Sequence, residues 1–288
     1  MGKKKKQTIV IYLRTLVLIA IALIMLVPLV LTNVNSLMTE QEILTNYNML
    51  GKSETSEFAN LKWIPDWVSL DQYFKVLIAT PQFLYMFWNS VYMVFAIIIG
   101  QTALSAMAAF AFAKLRFPFR DSLFFCYLMV MLMPFQVTLV PIYITVDRLG
   151  LLNSPASIIF PGIFATFGVF LLRQFMLQIP SAYLEAAKID GAGYWRVFIS
   201  IALPMVKPGL TALVVLLFAD YWNMVEQPLI FLQDAHLQPL SVFLSRIQEE
   251  TYGVAFAASV LYMAPMVLLF LNTERYFVEG IQLSGIKG

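Results

Sequence analysis

Apolar residues in this chain run on far beyond the length of a soluble core element, and the polar stretches between the runs set out its architecture. From Thr8 to about Leu31 only Arg14 interrupts an apolar run that follows four lysines, Lys3 to Lys6. About 20 apolar residues suffice to cross the hydrocarbon of a bilayer, so this run predicts a spanning helix. A secretory signal would carry a shorter core of about 7 to 15 apolar residues and a small-residue cleavage site, and neither is present. Further runs predict spans over about 83–112, 122–144, 158–175, 210–232 and 254–271. In the second, the Ala- and Ser-rich part from Ala103 to Ala113 suits close approach to other helices, which apolar lipid does not itself drive. Pro134 and Pro141 predict that the third is bent, because proline removes a backbone donor.

The intervening segments are polar. Between Thr32 and Thr80, Pro65 and Trp67 predict an interfacial bend, and Leu70 to Ile78 a short surface helix. The loop from Lys114 to Asp121 is basic, Gly150 marks a turn between the third and fourth spans, and 233–253 forms a further loop. Lysine and arginine collect on the cytoplasmic side of membrane proteins. With an even number of spans, all of them except Lys52, Lys62, Lys75, Arg148 and Arg246 fall on the side shared by the two termini. The expectation is an all-α membrane protein of six transmembrane helices with both termini cytoplasmic. Composition agrees: 60% of residues are hydrophobic and 12% charged, with mean hydropathy +0.77, against about 25% charged in soluble domains. Cys126 has no second cysteine to pair with, which excludes an intrachain disulfide and a thiolate metal cage. His236, the single histidine, lies in a polar loop and reads as an ordinary interfacial residue.

One stretch breaks the pattern. From Ser181 to Pro208 the chain is partly polar and stays on the terminal side, longer than a turn between helices needs. Pro180 and Ser181 predict a helix start with Ser181 as N-cap and Glu185 in the first turn. Asp190-Gly191 predicts its end, and a second short helix from Tyr194 to Ile201 stops before Pro204. Such short helices need packing partners. Ala186, Ala187, Gly191, Ala192 and Gly193 permit a close elbow, while Tyr183, Leu184, Trp195 and Phe198 offer bulk either for a partner's cleft or for packing back on the bundle. These residues alone fit an amphipathic interfacial connector as well as a docking element. At the outer end of the fifth span Asp220, Tyr221, Trp222, Asn223 and Glu226 combine carboxylates, an amide and aromatics. That set fits an interfacial aromatic belt with snorkelling carboxylates, and it also fits contacts to a sugar along a substrate pathway.

Glu185-Ala186-Ala187, Asp190-Gly191-Ala192 and Leu203-Pro204 resemble the EAA loop of ABC importer permeases. The likeness extends through A-F-A-F-A-K-L-R-F, M-P-F-Q-V-T-L-V-P-I-Y, F-L-L-R-Q-F, Y-W-N-M-V-E-Q-P-L and the closing R-Y-F-V-E-G-I-Q-L-S-G-I-K-G. The carbohydrate-uptake branch is most similar, in particular the smaller maltose-type permease. The resemblance implies a type I importer fold in which Glu185, Ala186, Ala187, Asp190, Gly191, Ala192 and Gly193 form a coupling helix seated in a groove of an ATP-binding subunit. Gly193 stands where serine is common in the family. It further implies an N-terminal region 1–82, a transmembrane domain 83–277 holding the loop at about 176–208, and a cytoplasmic tail 278–288. The implied partners are a second related permease, two copies of the ATP-binding subunit, an extracytoplasmic solute-binding protein and membrane lipid, with no nucleic acid. The implied place is the bacterial plasma (inner) membrane, crossed several times, and the implied cargo a sugar, an oligosaccharide above all.

No G-x-x-x-x-G-K-[ST] occurs in the sequence, so the chain lacks the phosphate-cradling loop of an ATPase. It is expected not to be an enzyme and to hold no cofactor or metal, ATP and Mg being bound by the partner ATPase. An ion- or proton-coupled secondary transporter or channel is the alternative, and it would place charges deep in the spans. Here they lie at span ends. A membrane enzyme is a third reading, unsupported by any nucleophile, histidine cluster or metal spacing.

Overall fold

The computed structural model describes residues 2–47, 60–246 and 252–285. Lys52 and Lys287, used in the charge argument, lie outside these ranges, as do 247–251 of the last polar loop and the final residues of the tail. Among the described residues there are helices and no strands, as hydrocarbon demands of any spanning backbone that does not close into a barrel. The chain divides into two compact units, Met1–Pro81 with Arg246–Ala264, and Gln82–Ser245 with Pro265–Gly288.

In the first unit, α1 (Gly2–Ser36) is a single helix. Its side chains from Ile11 to Leu26 are exposed, which is the state of apolar side chains meant for lipid. It gives way to α2 (Glu40–Tyr47). Met38, Ile43 and Tyr47 make a small core with Val34, Tyr252 and Phe256. A short helix stands where one was expected, as α3 (Asp71–Phe74), continued by a π turn over Lys75–Ala79, with Gln72 and Val76 buried. Lys62 pairs with Glu42 at 3.0 Å and with Asp66. Hydrogen bonds to Asp66 and then Glu42 raise the Lys62 ammonium above the ordinary lysine value.

The second unit is built on α4 (Pro81–Lys114), an unbroken helix. Two glycines facing it permit very close contact. A Cβ at Gly162 would lie 2.9 Å from Ile97, and one at Gly168 would lie 2.4 Å from the Ser105 hydroxyl. The small residues expected to line a packing face do so, since Ser105, Ala106 and Ala109 are buried. The fourth span consists of α7 (Ala156–Ile163) and α8 (Phe167–Leu177). Between them the Ala165 carbonyl accepts a hydrogen bond from Gln101 Nε2 of α4 at 3.5 Å. That side chain supplies a donor where the helix ladder lapses, as a polar backbone group in a membrane requires.

Among the described residues, four helical stretches are long and apolar enough to cross a membrane: Val10–Ser36, Pro81–Lys114, Ala156–Leu177 and Tyr252–Glu274. Two bent pairs complete six if each is one span. The third predicted span is α5 (Arg120–Met131) and α6 (Phe135–Arg148), bent by 102°. The bend is far sharper than a kink. Met133 precedes proline, which disfavours helical backbone there, and Pro134 restarts the helix as its N-cap. Pro141 lies inside α6 without ending it. Val146 of α6, Ile158 and Ile159 of α7, and Met93 and Ile97 of α4 share one core with Phe231 and Leu232.

The fifth span requires correction. Instead of one helix over 210–232, α12 (Lys207–Trp222) ends at Asn223, and α13 (Glu226–Phe231) starts separately. Pro228 then falls in the first turn of α13, where a missing N–H breaks no helical hydrogen bond. The polar loop that follows contains a 3-10 turn at Ala235–Leu237 and α14 (Leu240–Ser245), and the final span is part of α15 (Tyr252–Gly285).

Candidate functional site

The EAA-like stretch begins where α8 ends. Lys114, the last residue of α4, donates from Nζ to the Ile179 carbonyl at 2.7 Å and fixes the entry to the stretch. Pro180 is extended and serves as N-cap of α9 (Ser181–Ile189). Ser181 is therefore the first helical residue rather than the cap, and Glu185 lies beyond the first turn. Proline wins the boundary because it cannot donate into the helix, while its fixed φ leads into one.

The end of α9 follows the sequence closely. Ala192 N donates to Ala187 O at 2.9 Å and Gly191 N to Lys188 O at 3.0 Å. This is a Schellman closure, which needs a left-handed residue after the cap, and Gly191 has φ 78°. The small residues do not act by closeness at the turn itself. A Cβ at Gly191 or Gly193 would meet nothing within 4 Å. Gly193 instead caps α10 (Tyr194–Val197) with extended backbone. A serine at that position would bring a side-chain acceptor for the first free N–H groups, and glycine leaves them without one.

The second helix does not stop before Pro204. From α10 it passes through a π turn, Phe198–Ala202, into α11 (Leu203–Met205). The wider turn shifts the hydrogen-bond register just ahead of the proline, which accommodates the residue without a donor. The helix then bends by 75° into α12.

Packing sorts the bulky residues that the sequence left ambivalent. Leu184, Ala187, Val197, Phe198 and Ala202 are buried. Phe198 meets Phe110 of α4 at 5.3 Å and Trp195 at 5.4 Å between ring centroids. Tyr183 and Trp195 face outward, as do Glu185, Ala186, Asp190, Gly191 and Gly193, while Ala192 is half-buried. Ile189, 86% exposed, and Tyr194 join that outer face. Lys188 Nζ stands 4.8 Å from the Tyr194 ring centroid across the elbow. Sequence reading missed Ile189, although its spacing of four from Glu185 puts the two on one helix face.

The second candidate cluster is divided. Trp222 is 1% exposed, stacks on Phe218 at 5.1 Å and meets Phe87 at 5.9 Å edge-on. It is a core residue in this conformation. Tyr221 is half-buried and donates its hydroxyl to Gly162 O at 3.3 Å. Asp220, Asn223 and Glu226 are exposed, with Asn223 Nδ2 donating back to Ala219 O at 2.7 Å. Among the described residues no three His, Cys, Asp or Glu side chains gather as a metal would need.

Comparison with known proteins places these features in context. The pattern of the family described as "Binding-protein-dependent transport system inner membrane component" matches residues 101–281, which include the whole elbow and the polar cluster at the end of α12. The arabinooligosaccharides transport system permease protein AraQ of Halalkalibacterium halodurans is 29% identical over 291 residues, covering 99% of this chain and 100% of that one. The sn-glycerol-3-phosphate transport system permease protein UgpE of Brucella abortus is 31% identical over 201 residues, 68% of this chain and 71% of its own. Among solved structures, a bacterial ABC transporter involved in the import of the acidic polysaccharide alginate aligns with TM-score 0.79 at 20% identity, over 96% of this chain and 99% of that one. The bacterial alginate ABC transporter in complex with an alginate pentasaccharide-bound periplasmic protein aligns with TM-score 0.63 at 17% identity, over 94% of each chain.

Proposed function

We propose a function for a chain that belongs to the family of binding-protein-dependent transport system inner membrane components: it is the membrane-spanning permease subunit of an ABC importer of a sugar, an oligosaccharide by preference. It is a multi-pass protein of the bacterial plasma membrane, and as a permease it is a transport subunit, not itself an enzyme. The full-length similarity to a permease named for arabinooligosaccharides supports the cargo class. The partners in this reading are a second related permease, two copies of an ATP-binding subunit that hold ATP and Mg, and an extracytoplasmic solute-binding protein. Both termini lie in the cytoplasm, and residues 83–277 form the transmembrane domain.

The observation that carries the coupling role is the outward face of the elbow. Glu185, Ala186, Asp190, Gly191 and Gly193 are exposed together with Tyr183, Ile189 and Trp195, while Leu184, Ala187 and Phe198 are buried. A rigid, internally anchored element with an apolar rim and a small-residue centre suits the groove of a partner. In this reading Glu185, Ala186, Ala187, Asp190, Gly191, Ala192 and Gly193 make the coupling segment. Movement of the ATP-binding subunit reaches the bundle as rigid-body motion through the Phe198 to Phe110 contact. ATP hydrolysis in the partner thereby alternates the cavity between outward and inward access.

For the solute pathway, Asp220, Tyr221, Asn223 and Glu226 contribute at the end of α12, and Trp222 supports them from the core. The test is Glu185→Lys in the assembled complex. We expect loss of ATP-dependent uptake with the permease pair still folded, and loss of co-purification of the ATP-binding subunit. Unchanged uptake and co-purification would remove the coupling role.

A further inference from the structure

The segment after α2 carries an apolar surface that the coupling and pathway assignments leave unused. Leu61, Trp63, Ile64, Trp67, Val68 and Leu70 are all exposed, Trp67 at 78% and Ile64 at 75%. Scattered single apolar residues are normal on protein surfaces, but a contiguous set this large marks a surface meant to be covered.

Its depth is fixed by the chain itself. Ser69 N donates to Leu37 O at 2.8 Å, and Ser36 Oγ shares a hydrogen bond with Tyr73 OH at 2.7 Å. Leu37 and Ser36 are the residues at which the spanning helix ends. From Val10 to Ser36 that span has 27 residues. At 1.5 Å each, these cover about 40 Å, the thickness of a bilayer with its headgroup regions. Ser69 therefore lies at the polar boundary of the membrane. Val68 and Trp67 precede it by one and two residues, each spanning no more than about 3.6 Å of chain. The next span begins at Pro81, twelve residues beyond Ser69.

Charge identifies what covers it. Lys62 is engaged by Glu42 and Asp66, and Lys75 by Glu40. Glu42 also accepts from Asp66 N at 2.8 Å, so the segment is clamped to α2 on its polar side. Its own lysines and aspartates, Lys62, Asp66, Asp71 and Lys75, balance. No cation is left over to seek an anionic headgroup. Tryptophan with aliphatic side chains and no net charge suits the boundary between headgroups and acyl chains.

We propose that residues 61–79 form a membrane-lying belt whose apolar face inserts into the headgroup and acyl boundary of the bilayer at the end of α1, independently of anionic lipid. The belt sets the depth at which the first span sits. It does not depend on the cargo or on the coupling role.

The test uses the assembled transporter, with Cys126→Ala and one cysteine introduced by Ile64→Cys or Val68→Cys, both of which keep the tryptophans. An environment-sensitive fluorophore is attached and the protein reconstituted in phosphatidylcholine vesicles. Lipid carrying a doxyl group near the headgroup should remove most of the emission, aqueous iodide should remove little, and added phosphatidylglycerol should change neither. A label at Gln233→Cys, exposed in the polar loop after α13 and outside the coupling segment, provides the iodide-accessible reference in the same complex. Quenching by iodide to the extent seen at that reference would overturn the belt. So would quenching by neither agent, which would mean that a protein partner or a second copy covers the face. A need for phosphatidylglycerol would overturn the neutral-boundary chemistry. These readings hold whether or not the vesicles transport, so failure of the belt and failure of the importer reading are separable.

Discussion

Replacing Gly191 with alanine tests the elbow through its backbone alone. Gly191 has φ 78° and an added Cβ would meet no atom within 4 Å, so the substitution introduces no clash. What it introduces is an L side chain in left-handed backbone, at a cost of about 1–2 kcal/mol. The elbow can escape that strain only by leaving the conformation in which Ala192 N bonds Ala187 O and Gly191 N bonds Lys188 O. If the ATP-binding subunit takes the elbow in this shape, the same free energy appears as weaker association, about 5- to 30-fold in Kd. The assay is titration of the purified ATP-binding subunit onto the permease pair in nanodiscs, read by fluorescence anisotropy. Gly191→Asn is measured alongside, because asparagine tolerates the left-handed region better than alanine. The expected order of affinity is wild type, then Asn, then Ala. Alanine binding as tightly as wild type, or asparagine binding more weakly than alanine, would refute the argument.

Two further outcomes follow from packing. Gly168→Ala places a Cβ 2.4 Å from the Ser105 hydroxyl. It should lower thermal stability by about 1–3 kcal/mol, as overpacking does, and Ser105→Gly should restore much of the loss in a thermal melt of the double variant. Trp222→Ala removes a side chain that is 1% exposed. It should destabilise the fold by about 3–5 kcal/mol, whereas Asp220→Asn and Asn223→Ala, on exposed positions, should leave the melt nearly unchanged and alter the uptake KM instead.

Much of the elbow was legible beforehand because its features are local. A glycine after a helical run closes a Schellman motif with hydrogen bonds inside six residues, so Asp190-Gly191-Ala192 carries its own geometry. Boundaries governed by competing prolines were less legible. Ser181 has the chemistry of an N-cap, yet Pro180 before it takes the position. Pro204 has the chemistry of a stop signal, yet a π turn ahead of it lets the helix continue.

The apolar runs by themselves determined that the chain crosses a membrane, roughly where, and that it does so as helices, because hydrocarbon accepts only long apolar segments whose backbone groups bond within the segment. They could not determine which way each residue faces, since a helix surface against protein and one against lipid are equally apolar. Only tertiary packing turned Leu184 and Phe198 inward and left Ile189 and Trp195 outside. It drew Trp222 out of a polar-looking cluster and into the core. The third span folds through 102° at the break before Pro134, an angle the apolar run does not state.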